Sequence, residues 1–113
     1  MDAVIQLAER LGKAIADSPA ATKLREARKT MEGEAGLAKT LDEYQKQSQK
    51  VATLETENKP IEVSDKRALR DLQDKLVASE AFKQFTSAQV DYVDLMRKVN
   101  EALQSQLSQV EGD

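Results

Sequence analysis

Paired carboxylates are the residues of this sequence whose types and spacing come nearest to a catalytic or metal-binding arrangement. The close pairs are Asp42 with Glu43, Asp71 with Asp74, and Asp91 with Asp94. Two facing carboxylates could perform general acid–base chemistry, or they could bind a hard cation through their oxygens. Each pair, however, has a lysine or arginine within one helical turn, which is typical of a solvated helix face carrying ion pairs. We therefore interpret the pairs as surface charge.

The residue types that most catalytic sites depend on are missing from the chain. Its 113 residues include no histidine and no cysteine. The commonest general base, the commonest metal ligand and the thiolate nucleophile are thereby excluded. The Glu-x-x-His motif of carboxylate-bridged metal bundles cannot be built, and Gly33 and Gly36 lie among acidic and helix-forming residues rather than in a phosphate-binding loop. The sequence predicts a protein that is not an enzyme, with no cofactor, metal or small-molecule substrate.

A basic cluster is the strongest local argument for an anionic partner. It consists of Lys23, Arg25, Arg28 and Lys29. Its spacing spreads the charges over more than one helix face, and Glu26 lies among them, so ordinary surface charge is one interpretation. The alternative is a docking site for an acidic protein surface or for RNA. The net charge of −3 and the pI of about 5.1 argue against non-specific binding to nucleic acid.

The segment from Ser79 to Val110 is the longest uninterrupted helical pattern, with no glycine or proline. Apolar residues recur there at intervals of three and four, which places them on one stripe of a helix. We predict core packing or a subunit interface for this stripe, the interface residues being Phe85, Gln89, Tyr92, Met96, Val99, Leu103 and Val110. Gln89 is the polar member, and it either fixes register between helices or reaches water at the stripe edge.

Breaks in the apolar periodicity predict an all-α fold of about five helices in antiparallel hairpins, the C-terminal helix being long. The predicted helices cover 2–16, 19–32, 34–57, 64–78 and 80–110. The signals between them are a Ser18 N-cap followed by Pro19, a break or kink at Gly33, the Asn58-Lys59-Pro60 stop, a Ser64 N-cap, and a kink or new N-terminus at Ser79.

A weak internal similarity links the Ser18 and Ser79 joints. Six small or apolar positions match at a constant offset of 61 residues: Leu11, Ile15, Ser18, Ala20, Leu24 and Ala27 with Leu72, Leu76, Ser79, Ala81, Phe85 and Ala88. Each set reads as a helix, a serine joint and a second helix. A duplication would produce this match, and so would the ordinary sequence preferences of two helix junctions.

The composition predicts one domain, residues 1–113, with a thin core. Fifteen of the apolar residues are alanines, and thin helical layers often complete their burial against a second copy. We therefore expect a homo-oligomer, a dimer or higher. No apolar run approaches the ~20 residues that span a membrane, and Asp2, Glu9 and Arg10 interrupt any secretory pattern. The expected location is the cytoplasm.

Several short runs in the chain resemble the YlbF/YmcA family of small bacterial helical proteins. They include 57–61 (ENKPI), 65–72 (DKRALRDL), the Ser79 joint, Ala88-Gln89 and Asp91-Tyr92, while the Ser18 joint and the 31–41 region fit the same plan. These motifs are helix joints and seam residues without a catalytic signature. The resemblance covers most of the chain.

The resemblance implies a cytoplasmic, oligomeric regulator that acts by binding other proteins. Family members are linked to competence, biofilm and sporulation control and to ribonuclease Y-dependent RNA processing. Some members hold an iron–sulfur cluster on cysteines, a cofactor that this cysteine-free chain cannot inherit. The first functional hypothesis is therefore a non-enzymatic regulatory or scaffolding protein. The alternative hypothesis is an RNA-associated accessory factor using the basic cluster.

Overall fold

The computed structural model describes residues 2–111, and every regular element within that range is an α-helix. The helices are α1 (Asp2–Ala16), α2 (Pro19–Glu32), α3 (Ala35–Thr56), α4 (Val63–Val77) and α5 (Glu80–Glu111). The all-α prediction and the long C-terminal helix are thereby confirmed, with every helix end within one residue of its expected place.

Serine N-caps begin α2 and α5 in the same way. The Ser18 hydroxyl accepts a hydrogen bond from the Ala21 amide at 3.2 Å, and the Ser79 hydroxyl accepts one from the Phe82 amide, also at 3.2 Å. Each side chain satisfies a first-turn N–H that has no partner within its own helix. Ser79 therefore marks a new helix rather than a kink, and the two joints share one hydrogen-bonding plan at the spacing noted in the sequence.

The helical structure is interrupted at Gly33, as the sequence predicts. Helix α2 ends with the Gly33 amide donating to the Lys29 carbonyl at 3.0 Å and the Glu34 amide donating to Met31 at 3.1 Å. Glu34 then has an extended backbone and precedes α3 without a side-chain cap. The second and third helices are therefore separate.

Helix α3 ends in a Schellman motif centred on Asn58, the residue with a positive φ, 54°. The Lys59 amide donates to the Leu54 carbonyl at 2.9 Å, and the Asn58 amide donates to Glu55 at 3.1 Å. Asparagine tolerates this left-handed conformation better than most residues. Pro60 follows and cannot continue the helix, which explains the stop predicted at this place.

The predicted Ser64 cap of the fourth helix is wrong. Val63 is the first residue of α4, so Ser64 lies inside the helix, and Glu62 holds the N-cap position with no side-chain hydrogen bond. The Glu62 carbonyl accepts the amides of Asp65 at 3.0 Å and Lys66 at 3.2 Å. With this start, Asp65 contacts Gln47 and Lys50 of α3. Tertiary contacts of this kind override a local capping preference.

The described residues fall into two compact units, one of residues 28–84 and one of residues 2–27 with 85–111. In the first unit α3 packs on α4, and the buried side chains are Met31, Leu37, Leu76 and Ala81. In the second unit the buried side chains are the alanines Ala21, Ala27 and Ala88. The alanines buried in the second unit remove little apolar surface from water, so its core is thin, as the alanine content predicts. The first unit buries three larger side chains, Met31, Leu37 and Leu76.

Candidate interaction surfaces

The predicted interface stripe of α5 becomes more exposed toward the C-terminal end of the helix. Phe85, Tyr92, Met96 and Val99 are half-buried, and Gln89 is exposed, which fits a position at the stripe edge. Beyond Val99 the larger apolar side chains face water: Leu103 is 45% exposed and Val110 is 82% exposed.

Leu107 is a further apolar residue on this part of the stripe, 39% exposed. It falls four residues after Leu103 and three before Val110, the same spacing that identified its neighbours. The sequence prediction omitted it, although the periodicity contained the signal. With Leu107 included, the apolar stripe continues to the end of α5.

Helix α1 carries a second exposed apolar face. None of its described residues is buried. Along the face, Ile15 is half-buried, while Leu11 is 37%, Leu7 60% and Val4 69% exposed. Burial therefore decreases away from the Ser18 joint, and the first three turns of an amphipathic helix present their apolar side chains to water.

Shallow grooves lie on the surface of the described helices. A groove of about 460 Å³ follows α5 between Val93 and Gln104, and one of about 400 Å³ follows α3 between Lys46 and Leu54. Because each of these two is lined by a single helix, neither can enclose most of the surface of a small molecule. A third groove, of about 220 Å³, lies beside Met31 and Leu41.

The basic cluster does not present four free cations. Lys23, Arg25, Arg28 and Lys29 are all exposed. The Arg25 guanidinium nevertheless donates to the Ala16 carbonyl at 2.9 Å, at the C-terminus of α1, where a cation is favoured by the helix dipole. Arg25 therefore ties the end of α1 to α2, a structural role that local spacing did not reveal.

The carboxylate of Asp94 belongs to an ion-pair network on the surface of α5. It contacts Arg97 at 2.7 Å and Lys98 at 3.2 Å, and Arg97 also contacts Glu101 at 2.6 Å. Hydrogen bonds from Arg97 and then from Lys98 lower the pKa of Asp94. Asp42 similarly pairs with Lys46 at 2.9 Å. Both carboxylates serve as helix-surface charge, as the sequence indicates.

A polar contact between helices joins α3 to the start of α4. Lys50 Nζ lies 2.9 Å from Asp65 Oδ1, and the Gln47 side-chain amide donates to the Asp65 carbonyl at 2.9 Å. The hydrogen bond from Lys50 is the main cause of a lowered pKa for Asp65, and it raises the pKa of Lys50. With the Asp65 side chain only 13% exposed, this pair fixes the hairpin.

No group of three or more Asp or Glu side chains within residues 2–111 is arranged to hold a metal ion. Over the same residues, none of the helices combines the length and the apolar character needed to cross a membrane.

Comparison with protein families places the chain beside known proteins. A family model described as "Control of competence regulator ComK, YlbF/YmcA" matches residues 4–108 of the chain. No curated protein matches the sequence. The matched range includes the helix joints and nearly all of the α5 stripe, the features on which the resemblance in the sequence was based.

Proposed function

The chain belongs to the YlbF/YmcA family, and on that premise we propose that it is a non-enzymatic regulator that acts through helical protein–protein interfaces. Competence control is the role that the family description names. Biofilm and sporulation control and ribonuclease Y-dependent RNA processing are further candidate pathways. We propose the cytoplasm as its location and self-association as the state in which it works.

The single observation that carries this proposal is the exposed apolar stripe of α5. Met96 and Val99 are half-buried, and Leu103, Leu107 and Val110 lie beyond them with substantial exposure. An apolar stripe of this length is unusual on a monomer and is typical of an interaction surface. A two-fold related copy could cover it with the same residues.

The test is the double substitution Val99→Asp with Leu103→Asp, examined by light scattering. Two carboxylates on the stripe would have to lose water in an interface, which is costly without partners. We expect the wild-type chain to scatter as an oligomer and the variant as one subunit, with much of the helix content retained by circular dichroism. A wild-type chain that is monomeric at micromolar concentration would contradict the proposal.

A matched control uses the opposite face of the same helix. Ser105→Asp with Gln109→Asp introduces two carboxylates four residues apart on α5 outside the apolar stripe, at residues that are uncharged and exposed. We expect the oligomer to persist in this variant. If it dissociates as the stripe variant does, the effect comes from added negative charge and not from the apolar stripe.

Binding to RNA through the basic cluster is the alternative, and the structure offers it less support. The Arg25 guanidinium contacts the Ala16 carbonyl, which leaves Lys23, Arg28 and Lys29 as the exposed members without such a contact described here. An RNA complex held by phosphate contacts would weaken steeply as salt increases. Titration of the wild-type chain with single-stranded RNA at low and high salt separates this function from protein binding.

A further inference from the structure

We infer that α1 is an exchanged arm: its apolar face docks on the C-terminal half of α5 in a second copy of this chain. The inference deepens the proposed self-association and rests on it, but it assigns the surface to a pair of different helices. The occupant of the exposed α5 stripe is then α1 of the partner, and the two chains exchange these elements reciprocally.

The first argument is that the two unpartnered faces match in length. Helix α1 has 15 residues, which corresponds to about 22 Å at 1.5 Å per residue. The C-terminal part of the α5 stripe, residues 96–110, has the same number of residues and so the same length, and it runs from the half-buried Met96 to the exposed Val110. The face of α1, which runs from the exposed Val4 to the half-buried Ile15, can therefore follow this part of the stripe from end to end.

The second argument is that neither face is covered by its own chain. Val4 and Leu7 of α1 are 69% and 60% exposed, and Leu103 and Val110 of α5 are also open to water. Both faces belong to the same compact unit of the chain. The unit thus presents two complementary apolar surfaces, and a second copy supplies both missing partners through one symmetric association.

The third argument is the breadth of the apolar face on α1. With 3.6 residues per turn, its charged and amide side chains fall within a narrow arc, and these are Asp2, Gln6, Glu9, Arg10 and Lys13. The remaining arc is occupied by alanine, glycine and larger apolar residues. It is wider than the arc that a single neighbouring helix covers. A helix with so wide an apolar arc is suited to lie between helices of an assembly.

The charges of α1 favour a protein occupant over a lipid surface. The polar arc contains two acidic and two basic residues, Asp2, Glu9, Arg10 and Lys13, and so has no net charge. A helix that binds anionic membranes usually has a basic polar face.

The experiment is site-directed cross-linking in a chain that has no natural cysteine. Leu7→Cys and Leu103→Cys place one thiol near the middle of each surface. The two thiols therefore lie close together whether α1 packs parallel or antiparallel to α5 of the second copy. Chains carrying one substitution each, distinguished by an affinity tag on one, are mixed and treated with a short bis-maleimide. We expect a product that contains one chain of each kind.

The matched control is Gln6→Cys, on the polar arc beside Leu7, mixed with the Leu103→Cys chain. Its cross-linked yield is expected to be several-fold lower. Circular dichroism of each variant, compared with wild type, establishes that the helices are retained. Val4→Cys with Leu107→Cys repeats the measurement at positions away from the two centres if either first variant fails to fold.

The possible products separate the inference from its alternatives. A linked pair of Leu103→Cys chains formed in preference indicates α5 against α5, and a linked pair of Leu7→Cys chains indicates α1 against α1; either overturns the exchange. A Leu7→Cys, Leu103→Cys double variant that links only within one chain also overturns it. Binding of wild type to phosphatidylglycerol vesicles, in place of the mixed product, overturns it in favour of lipid.

Light scattering of the wild-type chain distinguishes the two proposals. An oligomer without the mixed product refutes the arm exchange and leaves the self-association intact. A monomer without the mixed product refutes both.

Discussion

At the scale of single residues, the contacts that matter most are the ones that local spacing does not encode. Lys50 and Asp65 are fifteen positions apart, and no helical periodicity relates them before the hairpin closes. The same is true of Arg25 and the Ala16 carbonyl across the Ser18 joint. Arg25 belongs to the cluster for which ordinary surface charge was one interpretation, and it is exposed. The partners of Arg25, Lys50 and Asp65 depend on how two helices meet.

The Lys50–Asp65 pair predicts a particular response to acid. Because the pKa of Asp65 is lowered in the folded chain, its contribution to stability is complete above the unfolded pKa, about 3.9, and is lost as the pH falls through the lower folded value. Asp65→Asn should therefore lower the free energy of unfolding at neutral pH and flatten its decline in acid. Urea unfolding at several pH values measures both effects.

The control for this experiment is Asp71→Asn, which removes an exposed carboxylate from the same helix without altering the Lys50 pair. It should leave the pH profile close to that of wild type. If both variants flatten the profile equally, the acid response reflects total charge, and the Asp65 contact is not its source.

At the scale of helices, the sequence predicted the element ends well because the signals were covalent or strictly local. Proline at position 19 and the Asn58-Lys59-Pro60 stop restrict backbone angles wherever the chain folds. Ser18 and Ser79 need only their own following turn to form a cap. Ser64 had the same local signal, yet the helix begins one residue before it, because Asp65 is held by Gln47 and Lys50 of α3.

The N-cap serines Ser18 and Ser79 should contribute more to stability than Ser64, which lies inside α4. Ser79→Ala leaves a first-turn amide of α5 without its hydrogen bond and should cost about 1 kcal/mol, and Ser18→Ala should cost a similar amount. Ser64→Ala, inside α4, should be nearly neutral, since alanine is the better helix former. Denaturant unfolding gives all three values. A cost at Ser64 equal to that at Ser79 would restore the sequence-based cap assignment.

At the scale of the whole molecule, composition anticipated the thin core but could not identify what completes it. The alanine content implied few large buried side chains, and the buried residues of both compact units bear this out. Periodicity placed Met96, Val99, Leu103 and Val110 on one stripe. It could not determine whether the chain's own helices or a second copy cover them, because a helical stripe has the same spacing in both cases. That residues 1–113 unfold as one domain stays a prediction.

The thermal stability of the chain should depend on its concentration. If the exposed faces of α1 and α5 are covered only in an oligomer, dilution favours the unfolded chain by mass action. For a dimer, a tenfold increase in concentration is worth about 1.4 kcal/mol. At the size of two chains this should raise Tm by about 3–6 °C. Calorimetry across two decades of concentration measures the shift, and a single transition would also support one cooperative domain.

The stripe variant provides the contrast for the thermal experiment. Val99→Asp with Leu103→Asp should melt at a lower temperature that no longer changes with concentration, because its folded state does not require a partner copy. The Ser105→Asp, Gln109→Asp control should keep the wild-type dependence. A wild-type Tm that is constant over the whole range would show that the folded chain is stable alone, with the apolar residues of α1 and α5 exposed to water and available to a different protein.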